Sequence, residues 1–131
     1  MCKIRNMYSK AAATFASLML LTGLSACASA PQGMSAEQLA KAGQVEFMRP
    51  YELSRSDVEF VSVGPVRGES CASHLLADEA SQEQARMRMK LAAAERQANR
   101  LVLKKCVKDD EGGCTTRWWC EGDAYQAVPL Q

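Results

Sequence analysis

LVLKKCVKDDEGGCTTRWWCEG, residues 101–122, is the stretch whose reading decides the fold. Leu101-Val102-Leu103 is a short apolar run that continues toward Cys106 and Val107, as a buried strand does, and Asp109 to Gly113 then turns the chain. A last strand is expected from about Thr115 to Ala127, with Gly122 marking a bulge. A turn centred on Gly113 sets opposite each other residues whose numbers sum to 226, so Cys106 faces Cys120. Directly opposed residues on antiparallel strands lie about 4.5 to 5.5 Å apart at Cα, which a disulfide spans. That pairing leaves Cys71 for Cys114; the alternative of Cys114 with Cys120 would need a turn inside a segment that reads as continuous strand. Trp118 and Trp119 are adjacent, so in a strand they point to opposite faces, one into the core and the other a binding anchor if left exposed.

Upstream, Ser81 with Gln84 forms a capping box in front of the main helix, about Gln82 to Ala98. Met87, Leu91, Ala94 and Ala98 recur at steps of four, three and four and are read as its buried seam. Arg86, Lys90, Arg96 and Arg100 fall on the other side, as a solvated face or a stripe that docks an acidic partner or anionic lipid headgroups. Asn99 is expected to close the helix in a left-handed conformation. Before the helix, Val45 and Phe47 alternate with polar neighbours in a half-buried strand that Pro50 ends. Val58 to Val63 is a second alternating run, with Gly64-Pro65 implying a bulge or an edge. The order strand, strand, helix, strand, strand gives an α+β class: a small sheet of about four strands packed on one main helix and stapled by two disulfides.

Residues 1–26 read as a lipoprotein signal peptide. Lys3, Arg5 and Lys10 precede fourteen uncharged residues from Ala11 to Leu24, and Leu24-Ser25-Ala26-Cys27 ends the run. The pattern puts lipid on the Cys27 thiol, and two or more chains give durable anchoring where one binds only marginally. Fourteen apolar residues fall short of the roughly 20 a spanning helix needs. With Cys2 removed and Cys27 lipidated, Cys71, Cys106, Cys114 and Cys120 remain for an oxidising compartment. Residues 27–43 read as lipidated N-terminus and tether, rich in Ala, Ser, Gly and Gln, with a weak capping box at Ser35 and Gln38; residues 44–131 form the domain. Removing the signal leaves 13 basic against 15 acidic side chains, a net of −2, which speaks against a nucleic-acid partner.

The region from about Phe60 to Ala127 resembles the RcsF family of outer-membrane lipoproteins, which sense envelope stress for the Rcs phosphorelay. The resemblance is carried by Gly68-Glu69-Ser70-Cys71, Ala85-Arg86 and Arg88-Met89, Ala98-Asn99 before the strand ending at Cys106, Gly113-Cys114, and Cys120-Glu121-Gly122. It implies a small α+β domain with interleaved disulfides, Cys71 with Cys114 and Cys106 with Cys120. It also implies a non-enzymatic sensor without cofactor, whose partners are an inner-membrane Rcs regulator and outer-membrane β-barrel or assembly proteins. Ala28 behind Cys27, in place of an inner-membrane-retaining Asp, agrees with the outer membrane. Enteric members carry a long Pro-rich, basic tether that threads a barrel. Here about sixteen residues separate Cys27 from Gln44, a reach of roughly 55 Å at 3.3 to 3.6 Å per residue.

Other chemistries have little support in the residues. His74 lies three residues after Cys71, but Cys-x2-Cys ligand pairs are missing, so no metal site is expected. The same absence argues against a thiol–disulfide oxidoreductase, and no Ser, His and acid grouping stands out for nucleophilic catalysis. The rival to a sensor is an accessory lipoprotein that binds an outer-membrane barrel without signalling.

Overall fold

The computed structural model describes residues 33–74 and 78–130; the expected signal peptide and the expected lipid-bearing Cys27 lie outside them. The elements are α1 (Ala36–Gly43), β1 (Glu46–Phe47), a 3-10 turn (Pro50–Ser54), β2 (Val58–Ala72), α2 (Gln82–Glu95), β3 (Arg100–Asp109) and β4 (Thr116–Pro129). They form one four-stranded sheet in the order β1-β3-β4-β2, with β1 parallel to β3 and the long strands antiparallel. This is the α+β class expected from the sequence.

The hairpin register holds from Asp109 opposite Arg117 to Lys105 opposite Glu121, each pair summing to 226. Cys106 therefore faces Cys120 and is bonded to it at a Cα separation of 4.1 Å, while Cys71 is bonded to Cys114 at 5.5 Å. Beyond Lys105 the register shifts, with Lys104 as the extra residue. Gly122 faces that bulge, where a Cβ would run into the Val102 carbonyl. A second bulge lies between Ser62 and Gly64, as Gly64-Pro65 implied.

Side chains with even numbers on β4 point toward α2. Cys120 and Ala124 join Val66 of β2, Leu101 of β3 and Ala85, Met89 and Ala93 of α2 in the core. The expected helix seam is therefore on the wrong side. Ala85, Met89 and Ala93 are the buried residues of α2, whereas Met87, Leu91 and Ala94 lie roughly opposite at about 100° per residue and are half-buried. The reason is the close approach of α2 to β2 over Gly68, whose missing side chain leaves the space occupied by the Ala85 carbonyl and the Met89 backbone. Two alanines flank Met89 on the sheet side, and α1 covers part of the rest of α2, so no single apolar stripe marks the buried side.

Two further expectations are corrected. Helix α2 ends at Glu95, and the left-handed residue is Gln97 (φ 64°), with the Ala98 N–H donating to the Ala93 carbonyl. Such a helix end usually recruits glycine. Asn99 instead bridges the sheet: its Nδ2 donates to the Ala127 carbonyl and its Oδ1 accepts from the Ala127 N–H. The expected strand shrinks to the two residues of β1, both exposed with Phe47 at 40%, and the buried pair is Val45 and Met48 on either side of it. The Ser35 capping box forms, and α1 packs on α2 through a segment that read as tether, with Ala42 fully buried.

Candidate functional site

Both helices lie on one side of the sheet, and among the described residues no element covers the other. Alternation along the strands brings Arg67 and Glu69 of β2, Lys105 and Asp109 of β3, and Arg117 and Trp119 of β4 onto this open face. Trp119 is its centre. The Arg67 guanidinium lies 4.1 Å from the ring centroid and the Lys105 ammonium 5.1 Å, so the ring is flanked by cations contributed by two neighbouring strands. The indole Nε1 donates to Asp109 Oδ2 at 2.9 Å, which fixes the ring's rotation.

Arg117 clamps the same carboxylate as a fork, its Nε donating to Oδ1 at 2.6 Å and Nη2 to Oδ2 at 2.7 Å. Glu111 and Glu69 lie within 3.4 and 3.8 Å of the same guanidinium. Lys105 pairs with Glu121 at 3.3 Å and Lys104 with Asp123 at 3.0 Å. Beside Trp119, a shallow hollow of about 350 Å³ is lined by Pro65, Val66, Arg67, Lys104, Glu121 and Gly122. A rigidly held tryptophan between cations, with balanced charge around it, is suited to recognising another protein's surface.

The Arg117 fork holds Asp109 well below the usual carboxylate range, against the desolvation that opposes it and with help from the Trp119 N–H. A carboxyl group depressed on folding adds stability that is present above its unfolded value near about pH 4 and is lost as pH falls toward the folded value. Asp109→Asn is therefore expected to be less stable than the parent at pH 7, with the gap closing as pH drops toward 2. Urea midpoints across that range check it, and a gap independent of pH would show that the Asp109 charge does not act in this way.

Trp118, on the other face, packs against the core cluster. The four basic residues read as a stripe do not share one surface. Arg96 donates to the Val63 and Pro65 carbonyls at 2.6 and 2.8 Å and fills the space beside Gly64. Lys90 lies 5.0 Å over the Phe47 ring. Arg100 donates to the Asn99 carbonyl and pairs with Glu46 at 3.5 Å, and Arg86 keeps its Nε buried without a hydrogen-bond partner.

Three contributors were missed by sequence reasoning. Arg88 donates to the Glu69 carbonyl at 2.8 Å, tying α2 to β2. Ser70, 1% exposed, enters the helix cap: its hydroxyl donates to Gln84 Oε1 and accepts from the Ser81 N–H, so half of the expected box runs through β2. Asp109 read as a turn residue. Only its spacing of eight from Arg117 about the Gly113 turn could have revealed that they are neighbours.

The model of the RcsF lipoprotein family matches residues 29–128. That span takes in both helices, all four disulfide cysteines and the whole Trp119 face. No curated protein matches the chain.

Proposed function

This chain belongs to the RcsF lipoprotein family, and from that premise we propose that it is an outer-membrane lipoprotein that senses envelope stress and signals to an inner-membrane regulator of a phosphorelay through protein contacts. The observation that carries the reading is the extent of the family match, which runs through the complete disulfide-stapled domain, together with the Leu24-Ser25-Ala26-Cys27 pattern ahead of it. Cys27 is the lipid-bearing residue in this proposal, and the protein acts without catalysis or cofactor.

The packing of α1 bears on topology. Gly33 lies beside the guanidinium of Arg88, a residue in the middle of α2. Six residues from Cys27 reach at most about 22 Å, well short of the roughly 55 Å available if the tether ran to Gln44. A transmembrane barrel presents an apolar band about 25 Å tall. The domain therefore stays on the side of the membrane where its lipid sits, and outer-membrane barrel or assembly proteins meet it from that side. Trp119, flanked by Arg67 and Lys105, is the proposed anchor for a protein contact.

Deleting the gene is expected to abolish the transcriptional response to envelope damage, read with a phosphorelay-dependent reporter. Complementation with the parent gene restores it, and Cys27→Ala does not. An intact response in the deletion strain would remove the sensor reading and leave the accessory, barrel-binding role.

A further inference from the structure

Strand β2 is an edge strand over its whole length from Val58 to Ala72. A long exposed edge is a template for pairing with another chain, and folded proteins commonly block it. Here much of it is blocked from α2. Arg88 takes the Glu69 carbonyl, Arg96 takes the carbonyls of Val63 and Pro65, and Pro65 has no N–H to offer. Arg88 of α2 and Arg96 just after it thus cap the edge at Val63, Pro65 and Glu69.

Before the bulge the situation differs. Pairing of Glu59 with Val128 and of Val61 with Gln126 forms a two-stranded arm that runs past Arg100, the first residue of β3, and past Glu95, the last of α2. The bulge reverses the alternation. The Leu130 N–H donates to the Asp57 carbonyl, and the Ala127 N–H and carbonyl both bond Asn99 on the opposite side. Backbone groups of Asp57, Glu59 and Val61 therefore point toward β4, and those of Val58, Phe60 and Ser62 point to the open edge. On the arm's helix-side face, Val61 is 47% exposed, Val128 42% and Leu130 55%, three of the large apolar side chains most exposed in the described residues. Glu59 shares that face, is exposed, and makes no ion pair among the described residues.

We infer that the Val58–Ser62 edge accepts an extended segment of a partner protein as an added strand, with apolar side chains covering Val61 and Val128 and a basic side chain meeting Glu59. Backbone hydrogen bonds supply affinity in this mode and alternate side chains supply selectivity. The charge distribution points to a different protein as occupant. In a two-fold antiparallel pairing of two arms about Phe60, each Glu59 would face an apolar Val61 and no cation. The bulge and Pro65 limit the added strand to about five residues, which suits a reversible contact. The inference deepens the reading that this protein works by protein contacts, and its test needs no signalling.

The probe is a seven-residue peptide in which threonine alternates with lysine, valine and valine, titrated into the full mature lipoprotein in detergent micelles. Amide hydrogen exchange at Phe60 is expected to slow about tenfold at saturation, with shifts at Val58 and Ser62 and none along Gly68 to Cys71. A twin peptide N-methylated at alternate amides is expected to have no effect. Ser62→Pro removes an edge donor without touching the ladder to β4, and Val61→Lys removes the apolar contact. Both are expected to fold with unchanged melting temperature and to lose the peptide response. Unchanged exchange at Phe60 would overturn the inference, as would an equal response to the methylated twin. So would protection of these amides by self-association without peptide. Loss of peptide binding in Ser62→Pro beside a normal stress reporter would support the edge as a docking strand and place signalling on another surface of the protein.

Discussion

Replacing Cys71 and Cys114 together by serine is expected to lower the melting temperature of the domain by on the order of 20 °C. The pair closes 43 residues of chain, worth about 4 kcal/mol in the chain-entropy account, and the Cys106–Cys120 bond, closing 14, is worth about 3. A domain of this size holds some 5 to 15 kcal/mol in all, so either loss is severe and the two together, about 7 kcal/mol, exceed the lower end of that range. The bonds also do different mechanical work. Cys106–Cys120 joins strands already paired through their own hairpin, with Cys120 fully buried beneath α2. Cys71–Cys114 fastens the end of edge strand β2 to the hairpin turn, beside the Thr115 N–H bond to the Ala72 carbonyl. The first variant should therefore loosen β2 before the β3–β4 hairpin, visible as faster amide exchange along Glu69 to Ala72. A melting temperature within about 5 °C of the parent would show that the bond contributes little beyond the noncovalent core.

Gly68→Ala is expected to cost about 3 kcal/mol or more, at the upper end of overpacking penalties. The added methyl would fall inside the contact distance of the Ala85 carbonyl and of the Met89 N and Cα, all backbone atoms of α2, which cannot swing aside as a flexible side chain can. Relief requires α2 to lift from β2, and that exposes Met89 and Ala93, both fully buried. Gly113→Ala is the matched control. Gly113 has φ +77° but nothing within 4 Å of the new atom, so its cost is only the left-handed backbone penalty of about 1 to 2 kcal/mol. Urea midpoints of the two variants measure the difference, and equal losses would mean that α2 does not rest on β2 at Gly68.

Much of the fold was legible because its signals are local. Val58 to Val63 alternates, Ser81 announces the helix, and Gly112-Gly113 between two runs rich in apolar and aromatic residues sets a hairpin whose register aligns Cys106 with Cys120. The site was legible only in part. Adjacent positions in a strand put Trp118 and Trp119 on opposite faces, which held, but the company Trp119 keeps comes from β2 and β3. Arg67 and Asp109 are 52 and ten residues away from it in the chain. The basic residues of α2 looked like a docking stripe because helical spacing records only which side of a helix a charge leaves from. Arg96 folds onto the carbonyls of β2, and nothing within its own segment says that an edge strand lies there.

The sequence by itself determined the strands, the main helix and the disulfide register, since each rests on periodicity or on a motif a few residues long. The tertiary structure alone decided which face of α2 is buried. Gly68 lets two backbones meet, so the buried face is Ala85, Met89 and Ala93, while Met87, Leu91 and Ala94 stand half-buried on the opposite one. It also decided that Ala36–Gly43 belongs to the folded domain, because α1 is too short to persist unless α2 covers Ala42. Whether Trp119 and the Val58–Ser62 edge stay open depended likewise on which face the helices took and how far they run, properties of the assembled layers that no single segment encodes.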